Sequence, residues 1–313
     1  MFTLIADCGS TKVEWALLSP DKEPEPVLLF KSTGFNAAVT PVKEIRRIIT
    51  EEVAPHLADF QINKLHFYGA GCIGGEVDRN LARILSELLF KSEEAVCNIE
   101  ISSDLLGAAR ALFGNRPGIA CILGTGSNSC LYDGQEIIDN TPSLGYILGD
   151  EGSGASLGRG LLSDIFKGLL PAPIIDSFQA RYNLSKADLI RHVYREPSAN
   201  RYLASFCPFL SDHITIPEIQ SLITEEFTRF FTRNISQYNT TTHITKTPHA
   251  TLPQSPYTIR PNTPHATLPI GFIGSIAYHF RNLLNTTCET ITHTHPLIHQ
   301  SPLPSLLRYQ SLP

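Results

Sequence analysis

No stretch of this 313-residue chain approaches the run of roughly 20 apolar residues needed to cross a bilayer, so no membrane span is expected. Basic residues never gather into a patch. Lys and Arg number 25 against 30 Asp and Glu, a formal net charge of −5, and nucleic acid is not expected as a partner. The opening Met1–Asp7 has neither the basic start nor the cleavage site of a secretory signal, and an acid already stands at position 7. A cytoplasmic protein is expected. The seven cysteines (8, 72, 97, 121, 130, 207, 288) include no Cys-x-x-Cys pair, which favours reduced thiols over a zinc or iron–sulfur site. What the chain has is length enough for two domains and 42% hydrophobic residues, enough to bury a core.

The apolar runs Phe2–Ala6, Val13–Leu18 and Val27–Lys31, separated by turn-rich segments, predict a three-stranded antiparallel start. A helix follows over Pro41–Leu57 with Thr40 as N-cap, then a strand at Lys64–Gly69 and an amphipathic helix at Glu76–Phe90. A strand over Val96–Ile101 runs into Ser102-Ser103-Asp104, and a helix over Leu105–Phe113 ends at Gly114. The pattern then restarts. Ile119–Leu123 is a strand, Gly124–Asn128 a tight polar loop, and Ser129–Tyr132 and Glu136–Asp139 pair across Asp133-Gly134. Two related lobes are expected from this repeat of pattern. Helices follow over Leu157–Leu169, Ile174–Arg181, Lys186–Arg191, Ala199–Leu210 and Ile216–Tyr238.

From Asn239 to Pro269 the composition turns to Thr, Pro and His, and Thr-Pro-His-Ala-Thr-Leu-Pro occurs twice, at 247–253 and 263–269. Such a segment cannot pack a core and is expected to be a mobile loop, set at the start of the next strand and so away from the C-terminal strand ends where ligands bind. His243, His249 and His265 raise a metal-binding reading, weakened by the want of a carboxylate or thiol beside them. A strand at Ile270–Ile273 and a helix at Ile276–Leu284 come next. The tail from Thr286 is again rich in Thr, His and Pro, with a short apolar end at Leu306-Leu307.

Five places carry candidate chemistry, four of them combining glycine with hydroxyls or carboxylates. Asp7-x-Gly9-Ser10-Thr11-Lys12 sits in a hairpin bend, where glycine lets backbone N–H groups approach a phosphate and a carboxylate can hold hydrated Mg²⁺. It lacks Walker spacing and opens no helix; alone, it reads more readily as an ordinary hairpin. Gly124-Thr125-Gly126-Ser127-Asn128-Ser129 is a second bend of the same kind at the matching place. Asp104, between strand and helix, is either a plain N-cap or a general base. Gly145–Gly154 is denser in glycine than a turn requires and sets Asp150 beside Glu151. Gly271–Ala277 is strand, Gly-Ser, helix, where small residues let a flat ring lie on the backbone, although strand-to-helix turns often carry glycine.

In type and order these sites resemble the superfamily of sugar kinases, heat-shock chaperones and actin. Gly-Asp-Glu-Gly-Ser at 149–153, with Gly-Thr-Gly-Ser-Asn at 124–128, is similar to the N-acetylglucosamine kinase group and its bacterial relatives, over roughly 1–237 and 270–285. The resemblance implies an α/β fold of two ribonuclease H-like lobes with a cleft between them. One lobe would span 1–114, with 286–313 allowed to join it, and the other 115–285. It implies ATP and Mg²⁺, with Asp7 orienting the metal through water and Gly9, Ser10, Thr11 and Lys12 near the β- and γ-phosphates. Thr125, Gly126 and Ser127 would hold phosphates or sugar, and Gly274 and Ser275 the adenosine. Asp104 would be the base for a sugar hydroxyl, with Asn36, Gly145, Tyr146 and Asp150 at the sugar. A small-molecule sugar is the implied partner, and there is room for a homodimer.

Three departures stand out. Tyr146 takes a place where relatives often carry Trp, Ser156 one where many carry a large aromatic, and the Pro-rich tail suggests a weak or missing terminal helix against the first lobe. Two other functions compete. One is an ATPase that activates a 2-hydroxyacyl-CoA dehydratase or benzoyl-CoA reductase, which would need a cluster-binding cysteine pair; Cys121 and Cys130 flank the second bend but read as strand residues. The other is a sugar sensor, which would need a DNA-binding helix-turn-helix.

Overall fold

The computed structural model describes residues 2–19, 25–90, 98–239 and 268–311. The strand β1 (Phe2–Cys8) is followed by β2 (Lys12–Leu18), β3 (Pro26–Thr33), α1 (Val42–Ile48), β4 (Ile62–Gly69), α2 (Gly75–Leu89), β5 (Asn98–Ser103) and α3 (Asp104–Phe113). Then come β6 (Gly118–Leu123), β7 (Ser127–Tyr132), β8 (Ile137–Thr141), α4 (Gly145–Leu148) and α5 (Gly154–Lys167). The helices α6 (Ala172–Tyr182), α7 (Lys186–Tyr194), α8 (Ala199–Ala204), α9 (Cys207–Asp212) and α10 (Pro217–Arg233) lead to β9 (Ile270–Ile273). The last elements are α11 (Ser275–His279), α12 (Arg281–Thr292), β10 (Leu297–His299) and α13 (Leu303–Gln310). By contact the chain divides into two units: 1–116 with 134–136 and 301–313, and 117–133 with 137–300.

In the first unit the sheet order is β3-β2-β1-β4-β5. β1, β2 and β3 form an antiparallel meander, and β4 and β5 run parallel to β1 and to each other. The apolar stripe of α2 (Leu81, Ile84, Leu85, Leu89) recurs at helical spacing and joins Trp15, Phe35 and Phe67 in one core. Each such fully buried side chain contributes about 1.5–3 kcal/mol. The only tryptophan stays satisfied inside this core because Trp15 Nε1 donates to Ser32 Oγ at 2.9 Å.

The second unit repeats the topology. Its order is β10-β9-β6-β7-β8, with β6, β7 and β8 antiparallel and β9 and β10 parallel to β6. Read outward from β6, this is the strand order of the first sheet, so both units are ribonuclease H-like. β6 and β9 are near-continuous apolar runs, as strands covered on both faces require. Their core includes Leu157 and Leu161 of α5 and Phe227, Phe230 and Phe231 of α10.

Several elements differ from the sequence reading. Helix over 41–57 changes character from α to π over Ile49–Val53 and to 3-10 over Ala54–Leu57. Pro41, not Thr40, is its N-cap, because Thr40 Oγ1 accepts the N–H of Asn36 instead. The expected helix 199–210 is broken into α8 and α9. α12 runs well past Leu284, although the tail was expected to begin at Thr286. The threonines do not break it, because their hydroxyls bond carbonyls one turn back (Thr286 to Asn282, Thr287 to Leu283, Thr290 to Thr286), while Leu284 and Cys288 are buried beneath. The terminal return is present: α13 buries Leu303, Leu306 and Leu307 and belongs to the first unit. The first copy of the heptapeptide, the second up to Thr267, His243, His249, His265 and Cys97 lie outside the described residues; Leu268 packs against the second core and the Pro269 carbonyl accepts the Ile119 N–H at 2.9 Å. No helix among the described residues is long and apolar enough to cross a membrane.

Candidate functional site

β1 ends in the first bend. Gly9 N–H donates to the Lys12 carbonyl at 3.0 Å, closing a tight loop from which β2 departs. Gly34 backs this loop: its N–H donates to the Thr11 carbonyl at 3.1 Å, and a methyl group there would overlap backbone atoms of Gly9, Thr11 and Lys12. Sequence reasoning passed over Gly34; its signal was a glycine just past a strand end, next to Asn36. Asn36 Oδ1 accepts the Ala38 N–H at 3.0 Å, and Ala37 N–H reaches Ala70, whose own N–H bonds the Cys8 carbonyl. Asn36 therefore stands beside the C-terminal ends of β1 and β4.

Three carboxylates gather here. Burial pushes the Asp7 carboxyl up to about 7, with repulsion from Glu14 and Asp104 adding to it and Lys12 opposing. Burial raises Asp104 to about 6 against the pull of the Leu105 N–H, which its Oδ1 accepts at 2.9 Å. The capping of α3 falls to Ser103, whose Oγ accepts the Leu106 N–H at 3.1 Å. Ser103, not Asp104, is thus the N-cap of α3, although Asp104 accepts the Leu105 N–H. Lys12 Nζ lies 2.9 Å from Glu14, which also takes Lys31 at 3.3 Å and the Ser301 hydroxyl at 2.7 Å.

In the second unit the bend after β6 is closed by Gly124 N–H to the Gly126 carbonyl at 3.0 Å. The N-terminus of α5 is stitched to it, with Gly154 N–H on Gly124 and Ala155 N–H on Thr125. Asp150 Oδ1 accepts the Ser127 N–H at 3.2 Å, and a methyl group on Gly126 would lie 3.0 Å from that carboxyl. Asp150 holds a left-handed backbone (φ 54°), is only 7% exposed, and is pushed up to about 6, chiefly by burial. Gly274 (φ 125°) lies against the Leu123 carbonyl with no room for a side chain, which brings Gly274 and Ser275 to the edge of the same bend. Gly145 and Tyr146 lie in the short helix α4. Its loop is tied at the root by Asp150 N–H to the Ser143 carbonyl and from the side by Arg159, which donates to the Tyr146 carbonyl at 2.9 Å. Ser156 faces the buried Glu226 and bonds it. Cys121 and Cys130 are buried strand residues.

The structure thus gathers Asp7, the 9–12 bend, Asn36 and Asp104 in the first unit. It gathers the 124–127 bend, Asp150, Gly274 and Ser275 in the second, with the 145–146 loop tied to Asp150.

Two ribonuclease H-like units, each with a glycine-lined bend after its first strand, define the actin-like ATPase fold. Over 99% of its length the chain matches a candidate N-acetylglucosamine kinase from Porphyromonas gingivalis, covering 98% of that protein at 38% identity with a TM-score of 0.84. A second candidate N-acetylglucosamine kinase, from Chromobacterium violaceum, matches over 99% of both chains at 15% identity and a TM-score of 0.69. A ROK-family glucokinase from Streptomyces griseus, in complex with glucose and AMPPNP, matches at 10% identity and a TM-score of 0.52 over 99% of this chain and 98% of that one. The last two show the fold alone. No protein-family model and no curated protein matches the chain. The chain belongs to the N-acetylglucosamine kinase-like family of the actin-like ATPase and sugar kinase superfamily, whose enzymes are ATP-dependent.

Proposed function

We propose that this chain transfers the γ-phosphoryl group of ATP to a hydroxyl of an amino sugar, N-acetylglucosamine or glucosamine, in the cytoplasm. The observation that carries the reading is Asp104: a carboxylate at the start of a helix, relieved of capping by Ser103 and set at the same end of the sheet as Asp7. Burial holds it near 6, where a carboxylate is both ionised at neutral pH and basic enough to take a hydroxyl proton.

Phosphoryl transfer needs alignment and charge stabilisation more than covalent help. The N–H groups of the 9–12 bend and the hydroxyls of Ser10 and Thr11 would meet the β- and γ-phosphates. Lys12 would join them by leaving Glu14, which keeps Lys31 and Ser301 as partners. Thr125, Gly126 and Ser127 would hold phosphate or sugar from the second unit, Gly274 and Ser275 would line the adenosine, and Asn36, Gly145, Tyr146 and Asp150 would meet the sugar. Mg²⁺ fits the first unit on charge: Asp7, Glu14 and Asp104 lie close enough to raise the Asp7 carboxyl. Asp7 would orient the ion through its bound water, and the ion would neutralise phosphate charge.

The test is ADP release over a panel of hexoses and hexosamines, with Asp104→Asn alongside. Loss of a positioned base costs about 10²–10⁴-fold, so turnover on an amino sugar should fall by at least 100-fold. Undiminished turnover in the variant would remove the base assignment. ATP hydrolysis that ignores every sugar would favour the activator reading.

A further inference from the structure

Tyr68 lies near the C-terminal end of β4, between β1 and β5 in the first sheet, and is 1% exposed. In register it stands between Asp7 on β1 and Ser102 on β5, two residues before Asp104. α3 rests directly on it: a methyl group on Gly107, one turn after Asp104, would lie 2.9 Å from Tyr68 Cβ. The Tyr68 hydroxyl accepts from Arg110 Nη1 of α3 at 3.0 Å and from Gln310 Nε2 of α13 at 2.6 Å. Arg110 is fixed in turn by Glu100 at 2.7 Å and lies over the rings of Tyr68 and Tyr309, 5.8 and 5.5 Å from their centroids. The helix that begins with Asp104 is therefore held at Gly107 by shape and at Arg110 by a hydroxyl that α13 orients.

We propose that Tyr68 is a positioning residue for Asp104, locked in place from α13 by Gln310. This rests on Asp104 as the base. Tyr68 touches neither sugar nor nucleotide; its hydroxyl sets where α3 sits on the sheet, and so where the carboxylate stands. Sub-ångström misplacement of a catalytic group is costly to rate, whereas the bends and Asn36 keep their own supports.

The experiment compares Tyr68→Phe, Gln310→Ala, their combination and Asp104→Asn. It measures sugar-dependent ADP release with kcat and both KM values resolved, and thermal unfolding in parallel. Tyr68→Phe and Gln310→Ala should each lower kcat about tenfold and leave KM for sugar and ATP within about twofold. The combination should be no slower than the slower single variant, because both break one chain of contacts. Wild-type kcat in either single variant, losses that multiply, or a loss carried by KM would overturn the inference. Should Tyr68→Phe fail to fold, Gln310→Ala decides, since its side chain sits at the rim of the contact. Full turnover in Asp104→Asn would sink both this inference and the base assignment. An inactive Asp104→Asn beside unaffected Tyr68 and Gln310 variants would sink this inference alone.

Discussion

Asp150→Asn should make the protein more stable at neutral pH while abolishing sugar turnover. Asp150 is 7% exposed, and burial pushes its carboxyl up to about 6, against 3.8 for an ordinary Asp. A folded-state pKa raised in an acid means that folding opposes ionisation. The penalty is absent below the unfolded value, grows as pH rises from about 4 to 6, and is complete above 6. At about 1.36 kcal/mol per pH unit, the full penalty is about 3 kcal/mol, and water reaching the site reduces this to about 1–2 kcal/mol. Asn suits the position on two further counts. Its Oδ1 can still accept the Ser127 N–H, and it tolerates the left-handed backbone at φ 54° better than other non-glycine residues. Thermal unfolding at pH 7.5 should therefore rise by about 2–3 °C, and the gain should shrink towards zero by pH 4. Asp150→Ala, which loses both the acceptor and the backbone tolerance, should gain less or lose. A gain of equal size at both pH values, or a destabilised Asn variant at pH 7.5, would refute the claim that a buried charge is the cause.

Two other perturbations probe the first unit. Gly34→Ala forces a methyl group into the backbone of residues 9–12. It should cost about 1–3 kcal/mol and raise KM for ATP about tenfold, read by unfolding and by initial rates; parental values for both would show that Gly34 does not support the bend. The pH profile of sugar-dependent kcat/KM should fall at least tenfold per pH unit below about 6, because Asp104 accepts a proton only when ionised and Asp7 and Asp150 are protonated in the same range. A flat profile down to pH 5 would deny it that role.

Much of the architecture was written in local pattern. Alternating and continuous apolar runs marked both sets of strands, and the recurrence of strand, bend, strand, turn, strand announced two related units, because such periodicity follows from which face of each strand is covered. The threonines of α12 misled, since composition counts a threonine as a poor helix former without showing that its hydroxyl bonds back into the helix. The proline-rich stretch before α13 misled likewise: Pro302 precedes that helix and Pro304 lies in its first turn, where a missing N–H costs nothing.

The glycines and acids of the candidate site were visible because their spacing is local: Asp7 to Lys12, Gly124 to Ser127, Gly149 to Gly154. Which of them is occupied by a neighbour was not. That Ser103 caps α3 in place of Asp104, that Glu14 holds Lys12, and that burial rather than a partner sets Asp150 all depend on what the fold brings alongside. Ser301 and Glu14 are 287 residues apart in sequence, Gln310 and Tyr68 242 apart, and no periodicity encodes such a pairing. The sequence alone determined the elements and the chemistry they carry; the tertiary structure decided which carboxylates lose their water and which side chains hold them still, because desolvation and contact come only from packing.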